Sequence, residues 1–217
     1  MFLNGAELLT QTTEIMGGNE PNNTLFYQLI NMFARIIEGM RPWVKLRKVD
    51  SSVTITSSNT IDTAKDLPSD FRKPYNSKWP NGAKGALFLK SSGGSYIYLE
   101  LKPLTQRELY RSMNGYWFFD TRLLKFYVSG TFTETYTVYL SYIHNPTAIA
   151  AGTEWGLGGD QEQDSILSML VAEAIKSGID YDEINARQAV ANNKVAQAGI
   201  NQMIFDDDAM GRAELGV

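Results

Sequence analysis

At both ends of the chain, apolar residues recur every three or four positions, which is the period of helices that bury one face. The N-terminal stripe consists of Leu25, Leu29, Met32, Phe33, Ile36 and Met40. The C-terminal stripe consists of Ile166, Leu167, Leu170, Val171, Ala174 and Ile175. The pattern predicts a helix over each stripe, and Pro42 ends the first because proline cannot continue a helix.

Capping residues indicate where other helices begin and end. Asn4 followed by Glu7 has the spacing of a capping box and predicts a first helix that stops at Gly17. Asp160 is the expected cap of the helix that carries the C-terminal stripe, and Gly178 is expected to end it.

Asp180, with Glu183 three positions later, predicts the start of the last helix. This helix is expected to run from Tyr181 to about Phe205 and is rich in alanine. Small side chains let helices approach closely, either within the chain or between subunits, and both alternatives stay open.

The middle of the chain changes to the pattern of β-strands. Aromatic and β-branched residues alternate with polar ones, and serine and glycine residues at positions 91–94 predict a hairpin turn. Residues 116–119, 123–128 and 135–143 predict three further strands. Thr105 and Glu108 have the spacing of a capping box for a short helix between the two groups of strands.

The strands at 115–146 are expected to bury an apolar face, with the predicted core listed as Trp117, Phe119, Leu124, Phe126, Val138 and Leu140. The order of elements predicts an α+β fold. Residues 1–42 and 146–217 are expected to form a helical bundle with a C-terminal arm. Residues 43–145 are expected to form an inserted antiparallel β module.

Composition narrows the classes of function. The chain has 217 residues, 43% of them hydrophobic and 20% charged, which is ordinary for a globular protein. The net charge of −4 argues against a surface that grips nucleic acid through its phosphates. Without cysteine there is no disulfide or thiol chemistry. No stretch is long and apolar enough to predict a membrane span, and the first residues do not resemble a signal peptide.

No motif predicts catalysis, a cofactor or a metal site. His144 is the only histidine and stands at the end of a predicted strand, so a structural role is preferred over a triad or a zinc site. Two carboxylate clusters, residues 160–164 and 180–183, stand at predicted helix starts, where capping explains them.

Asp206, Asp207 and Asp208 are different, because three aspartates at a helix end oppose the helix dipole. They are interpreted as an acidic cluster that lines a channel or meets a partner. The residues after them are polar and small, with isolated apolar side chains. They are expected either to fray or to form an arm that orders on a neighbour. The arm residues are Ala209, Met210, Arg212, Leu215 and Val217.

Several of these features together resemble the head–tail adaptor, or connector, proteins of tailed bacteriophages. The resemblance rests on the Leu67–Phe71 segment (LPSDF), the aromatic strand at 116–119 with Asp120 in the following turn, and the Tyr142–Pro146 segment before the final helices. It covers most of the chain in the order of its elements. The chain departs from the family at Thr121 and at Gly130, where the family often has glycine and proline.

The resemblance implies a structural virion protein without enzymatic activity or cofactor. Such proteins form rings of about twelve copies in the neck. The ring docks on the portal protein through the C-terminal arm and binds a tail, nozzle or stopper protein below. Its lumen lets genomic double-stranded DNA pass. Assembly in the host cytoplasm is implied. The alternatives are another phage tail, collar or fibre-attachment protein, or a carboxylate-based hydrolase.

Overall fold

The computed structural model describes residues 3–78, 83–158, 161–178 and 183–214. By the density of its internal contacts the chain divides into two units. The first, called the helical unit below, comprises Met1–Leu46 and Pro146–Val217, and the second, the β unit, comprises Arg47–Asn145.

The helical unit contains α1 (Gly5–Ile15), α2 (Asn23–Met40), α3 (Gln161–Lys176), α4 (Glu183–Asn192) and α5 (Lys194–Glu214). The capping box at the start of α1 is confirmed. The Asn4 side chain accepts the backbone N–H groups of Ala6 and Glu7 at 3.0 and 3.1 Å, and Glu7 accepts the N–H of Asn4 at 2.8 Å. The predicted stop after α3 is also confirmed, since Gly178 has a left-handed φ of 63°. Its predicted cap, Asp160, lies outside the described residues.

The predicted stripe of α2 is shifted by about one position. The buried apolar residues are Phe26, Leu29, Ile30, Phe33, Ala34 and Ile37. Met40 is 45% exposed instead. Leu29 and Phe33 belong to both sets, and the others differ because consecutive apolar residues such as Ile36 and Ile37 leave the helix phase open to tertiary packing.

The predicted single helix from Tyr181 to Phe205 is wrong. The chain forms α4 and α5 with a break at Asn193, whose side chain accepts the N–H of Ala196 at 3.0 Å and so caps α5. α5 continues to Glu214, nine residues beyond the predicted end. The predicted cap Asp180 lies outside the described residues.

The β unit contains eleven strands in its described residues: β1 (Arg47–Asp50), β2 (Thr54–Ile55), β3 (Lys65–Asp66), β4 (Phe71–Pro74), β5 (Ser77–Lys78), β6 (Lys84–Gly85), β7 (Leu87–Ser91), β8 (Tyr96–Leu101), β9 (Tyr116–Asp120), β10 (Lys125–Val128) and β11 (Tyr136–His144). The hairpin β7–β8 and the three strands β9, β10 and β11 are as predicted. Nine of the eleven belong to one sheet in the order β1-β11-β7-β8-β9-β10-β3, with β2 and β4 also paired to β11.

The predicted fold class is wrong. The described chain is dominated by a large, curled, mixed sheet of nine strands with helices at the termini, not by a helical bundle with a small antiparallel module. The sheet is mixed because β8 pairs in parallel with β9, so that Glu100 lies opposite Tyr116 and Leu101 opposite Trp117. Strand alternation shows which face is buried but does not encode the direction of a neighbour, so the sequence could not predict this pairing.

The segment between β8 and β9 makes the parallel pairing possible. It is a 3₁₀ helix, Leu104–Tyr110, which carries the chain back to the start of the next strand. The capping box predicted at Thr105 is wrong, because the helix follows Pro103 and has no side-chain cap. Glu108 binds Arg111 instead, at 2.8 Å.

One apolar cluster fills the concave side of the β unit, and its largest members include Trp117, Phe126, Phe71 and Tyr142. The register between β7 and β11 explains how apolar side chains come to share one face of the sheet. Val138 lies opposite Leu89 and Leu140 opposite Leu87, so all four are on the same face. Of the predicted core, Trp117, Phe126, Val138 and Leu140 are buried, while Phe119 and Leu124 pack against the cluster and are partly buried.

Candidate interaction surface on the C-terminal helix

The buried face of α5 is defined by Ala196, Ile200, Met203 and Asp207, which follow one another at four-, three- and four-residue steps. Gly199 lies against α3: a Cβ atom there would meet Ile166 Cδ1 at 2.6 Å. The small residues of α5 therefore serve close packing against another helix of the same unit.

Asp207 sits inside the helical unit, at a position that the helix period reserves for an apolar residue. Its side chain is 2% exposed. The carboxylate accepts the backbone N–H of Val44 at 2.5 Å and lies 3.1 Å from the guanidinium of Arg41. A buried charge is tolerated only when it is paired and hydrogen-bonded, and both conditions are met here. Asp207 therefore ties α5 to the segment that follows α2.

The two flanking aspartates also have partners within the helical unit. Asp208, which is 52% exposed, binds Arg41 at 2.5 Å. Asp206 accepts from the side-chain amides of Gln163 and Gln202, both at 2.9 Å. The predicted acidic cluster is thus placed inside α5 rather than at its end; Asp207 and Asp208 share Arg41, and Asp206 binds two glutamine amides.

The exposed face of α5 carries an apolar side chain that the sequence did not single out. Phe205 is 61% exposed, and Ala209, one turn later, is exposed as well. The signal was available in the helix period: once residues 196, 200, 203 and 207 face inward, position 205 must face outward. The burial of Asp207 concealed it, because an aspartate does not mark a core position.

The predicted arm begins in helical structure. Ala209, Met210 and Arg212 lie in α5, which is helical as far as Glu214. Met210 is half-buried and lines a cavity of about 20 Å³ together with Trp43, Lys45 and Leu157. The side chain of Arg212 and the residues Leu215 and Val217 lie outside the described part of the chain, so their predicted role in docking stays a prediction.

His144 belongs to a polar cluster at the end of β11. Its Nδ1 lies 3.9 Å from a carboxylate oxygen of Asp70, which also accepts hydrogen bonds from Lys48 at 2.7 Å and from the hydroxyl of Tyr142 at 2.9 Å. Burial by itself raises the pKa of the Asp70 carboxyl, but these hydrogen bonds and the nearby His144 outweigh it, so that the pKa is lowered. Burial and the bond to Asp70 raise the pKa of Tyr142.

This cluster joins three strands rather than forming a reactive site. Lys48 is on β1, Tyr142 and His144 are on β11, and Asp70 directly precedes β4. The backbone C=O of Asp70 also accepts the N–H of Asn145 at 2.7 Å. With a hydroxyl kept neutral and a carboxylate kept charged, the arrangement fastens the end of the longest strand.

Among the carboxylates predicted at helix starts, the one whose side chain is described also has a structural role. Asp164 is buried in α3 and accepts the N–H of Leu3 at 2.8 Å. The position of Asp164 also explains why residue 158 is a glycine, because a Cβ atom there would lie 2.1 Å from Asp164 Oδ1. Asp160, Asp180 and Asp182 lie outside the described residues. In the part of the chain that the structure describes, no three acidic or histidine side chains are grouped as metal ligands.

Charge is divided unevenly between the two units. Residues 47–145 contain 13 Lys and Arg against 8 Asp and Glu, a net charge of +5. The helical unit contains the remaining 7 Lys and Arg against 16 Asp and Glu, a net charge of −9, so that the two add to −4. The mild net charge of the chain conceals this division.

Comparison with known proteins found no matching family model and no matching curated protein. None of the described helices is long and apolar enough to cross a membrane.

Proposed function

We propose that the chain is the subunit of a head–tail adaptor ring in the neck of a tailed bacteriophage. The ring of about twelve copies docks on the portal protein, binds a tail, nozzle or stopper protein on its other side, and lets genomic DNA pass through its lumen. Its place is the virion, after assembly in the host cytoplasm. The proposal extends the resemblance of the sequence and assigns no catalytic role.

The observation that carries the proposal is the C-terminal half of α5. The helix is fixed to its own unit through Asp207, which binds Val44 and Arg41, and it presents Phe205 and Ala209 to solvent on either side of that anchor. An exposed phenylalanine on a firmly anchored helix suits recognition of a partner, since aromatic residues supply much of the binding energy at interfaces. The predicted arm continues from this helix.

The acidic cluster favours a structural protein over the alternative of a carboxylate-based hydrolase. Hydrolysis by paired carboxylates needs two such groups that converge on one substrate bond. Asp207 and Asp208 are both paired with Arg41, which neutralises them, Asp207 is buried and also binds the N–H of Val44, and Asp206 binds two glutamine amides. Another tail, collar or fibre-attachment protein remains the alternative within the same class.

Docking on the portal protein of the same phage tests the proposal. We expect cryo-electron microscopy of the mixed proteins to show a ring of this chain on the portal. Deletion of residues 209–217, or the single change Phe205→Ser, is expected to abolish docking while the fold stays intact; the circular dichroism spectrum should be unchanged for Phe205→Ser and should lose only the helical signal of the removed end of α5 in the deletion. Leu123→Ser is the matched control, because Leu123 is 63% exposed on the β unit.

The result that would overturn the proposal is a wild-type chain that binds no portal under conditions where the portal itself is assembled. Normal docking of the deletion variant would refute the arm while leaving the ring open to test. Equal loss in Phe205→Ser and Leu123→Ser would show that exposed apolar residues in general, and not this helix, are responsible.

A further inference from the structure

One stretch of the β unit is basic without interruption. No aspartate or glutamate occurs between Asp70 and Glu100. The same stretch contains five basic residues, Arg72, Lys73, Lys78, Lys84 and Lys90. The excess of positive charge in the β unit is thus concentrated in β4, β5, β6 and β7.

The short ribbon β5–β6 places two of these charges together. Lys78 lies directly opposite Lys84 in the antiparallel register, and both side chains are exposed. Like charges in this position repel each other and destabilise a strand pair. Lys73 on β4 is exposed too. Among the described residues none of these three lysines has an ion-pair partner, so the ribbon is suited to an anionic surface outside its own chain.

The helical unit carries a groove that offers such a surface. The groove has a volume of about 510 Å³ and is lined by Ile15, Glu173, Lys176 and Val195, among others. α1 ends at Ile15 and α3 at Lys176, and Lys176 donates to the carbonyl of Ile15 at 2.9 Å. Two helix C-termini therefore meet here, and the dipole of each adds negative potential.

Two carboxylates lie at or next to this groove. Glu173 lines it together with Lys176, and Glu14 directly precedes Ile15. Both glutamates are exposed, and in the described structure neither forms an ion pair, whereas Lys176 already donates to the carbonyl of Ile15. Ile15 is 37% exposed and Val195 is 61% exposed. Unpaired carboxylates beside exposed apolar side chains suit a surface that both steers and holds a basic partner.

We propose that the lysine ribbon of one copy, Lys78 and Lys84, binds the groove rim of the next copy at Glu14 and Glu173. The contact joins two different surfaces, so it is heterologous, and a heterologous contact that propagates from copy to copy forms a ring when the rotation between copies closes. The inference rests on the proposed function, to which it adds the contact between subunits. The complementary charge is supplied by the chain itself, because the β unit has a net charge of +5 and the helical unit a net charge of −9.

Reciprocal charge reversal tests the contact on the full chain. Self-association is measured by sedimentation velocity over a concentration series, and ring formation by cryo-electron microscopy on the portal. Lys78→Glu with Lys84→Glu, and separately Glu14→Lys with Glu173→Lys, are each expected to weaken association at least about tenfold. The four changes together are expected to restore it. Raising the salt from about 0.05 M to about 0.5 M should weaken the wild-type contact.

Lys65→Glu with Arg122→Glu is the control, because it makes the same change of net charge elsewhere on the β unit, on β3 and in the turn between β9 and β10. The proposal is overturned if the combined variant fails to regain association, or if the control weakens it equally. It is also overturned if the lysine changes abolish binding to a 20-base-pair DNA duplex but leave association intact, or if they alter only the melting temperature. A wild-type chain that associates neither alone nor on the portal also overturns it.

The outcomes separate this contact from the proposed function. Copies that associate through the charges but do not dock on the portal contradict the adaptor while supporting the contact. Rings that form on the portal equally well in the wild type and in the charge-reversal variants contradict the contact while supporting the adaptor.

Discussion

The two units of the chain use their charged residues in opposite ways. In the described part of the helical unit, Glu38, Asp164 and Asp207 are buried, and each binds a group far away in sequence. Glu38, for example, accepts the indole N–H of Trp155 at 3.0 Å. In the β unit the buried Asp120 only accepts the N–H groups of Arg122 and Leu123 in its own turn.

α5 and the core of the β unit differ in the side chains that they bury. The β unit buries an aromatic cluster that includes Trp117, Phe126 and Phe71. Among the described side chains of α5, the buried apolar residues are Ile200, Met203 and Ala196, and the fourth buried residue is Asp207. α5 is therefore positioned partly by a buried carboxylate. It should be sensitive to loss of that charge, and the β unit to loss of an aromatic ring.

The largest effect is expected from Trp117→Ala in the β unit. The Trp117 side chain is fully buried at 0% exposure, and removing it leaves a cavity in the core. We expect the free energy of unfolding to fall by about 3–5 kcal/mol, measured by urea titration followed by tryptophan fluorescence and circular dichroism. Leu123→Ala, at an exposed position, should change it by less than about 0.5 kcal/mol. Equal effects of the two would contradict an aromatic core.

A smaller but still large effect is expected from Asp207→Ala in the helical unit. The change leaves the N–H of Val44 without its acceptor and removes one partner of Arg41. We expect a loss of about 2–3 kcal/mol, because hydrogen bonds to a buried charge are stronger than neutral ones. Asp208→Ala, next to it but 52% exposed, should cost at most about 1 kcal/mol. If the two variants unfold at the same urea concentration, Asp207 is not the anchor.

Local features of the fold could be predicted from the sequence, whereas the burial of Asp207 could not. The capping box at Asn4, the hairpin β7–β8 and the strands β9, β10 and β11 all follow from local patterns, and the structure contains them. Asp207 does not follow, because its burial depends on Val44 and Arg41, more than 160 positions away. Aspartates in sequence indicate a solvated or capping site until their distant partners are known.

Two other errors concern features that the local sequence pattern leaves open. The break at Asn193 depends on a side chain that can either continue a helix or cap the next one, and the sequence offers both. The parallel pairing of β8 with β9 depends on how Leu104–Tyr110 returns the chain. The exposure of Phe205 was deducible only after Asp207 was known to face inward.

The smallest effect on the free energy of unfolding is expected at Asp70. This carboxylate of the β unit has several partners, like Asp207, but is only partly buried, so it separates the effect of partners from that of burial. Its side chain is 31% exposed and binds Lys48 and Tyr142. Asp70→Asn keeps the shape of the side chain and removes the charge. We expect a loss of about 1 kcal/mol near neutral pH, well below that of Asp207→Ala.

The pH dependence of this loss follows from the sign of the shift. The pKa of Asp70 is lower in the folded chain than in the unfolded one, so its contribution is fully present above the unfolded pKa of about 4. It disappears as the pH falls through the folded pKa, where the carboxyl binds a proton in both states. The difference between wild type and Asp70→Asn should thus be constant from about pH 7 to pH 5 and close as the pH falls through the lowered folded pKa. A difference that persists or grows in acid would mean that Asp70 acts through its shape and not its charge, and the contrast with Asp207 would then rest on burial alone.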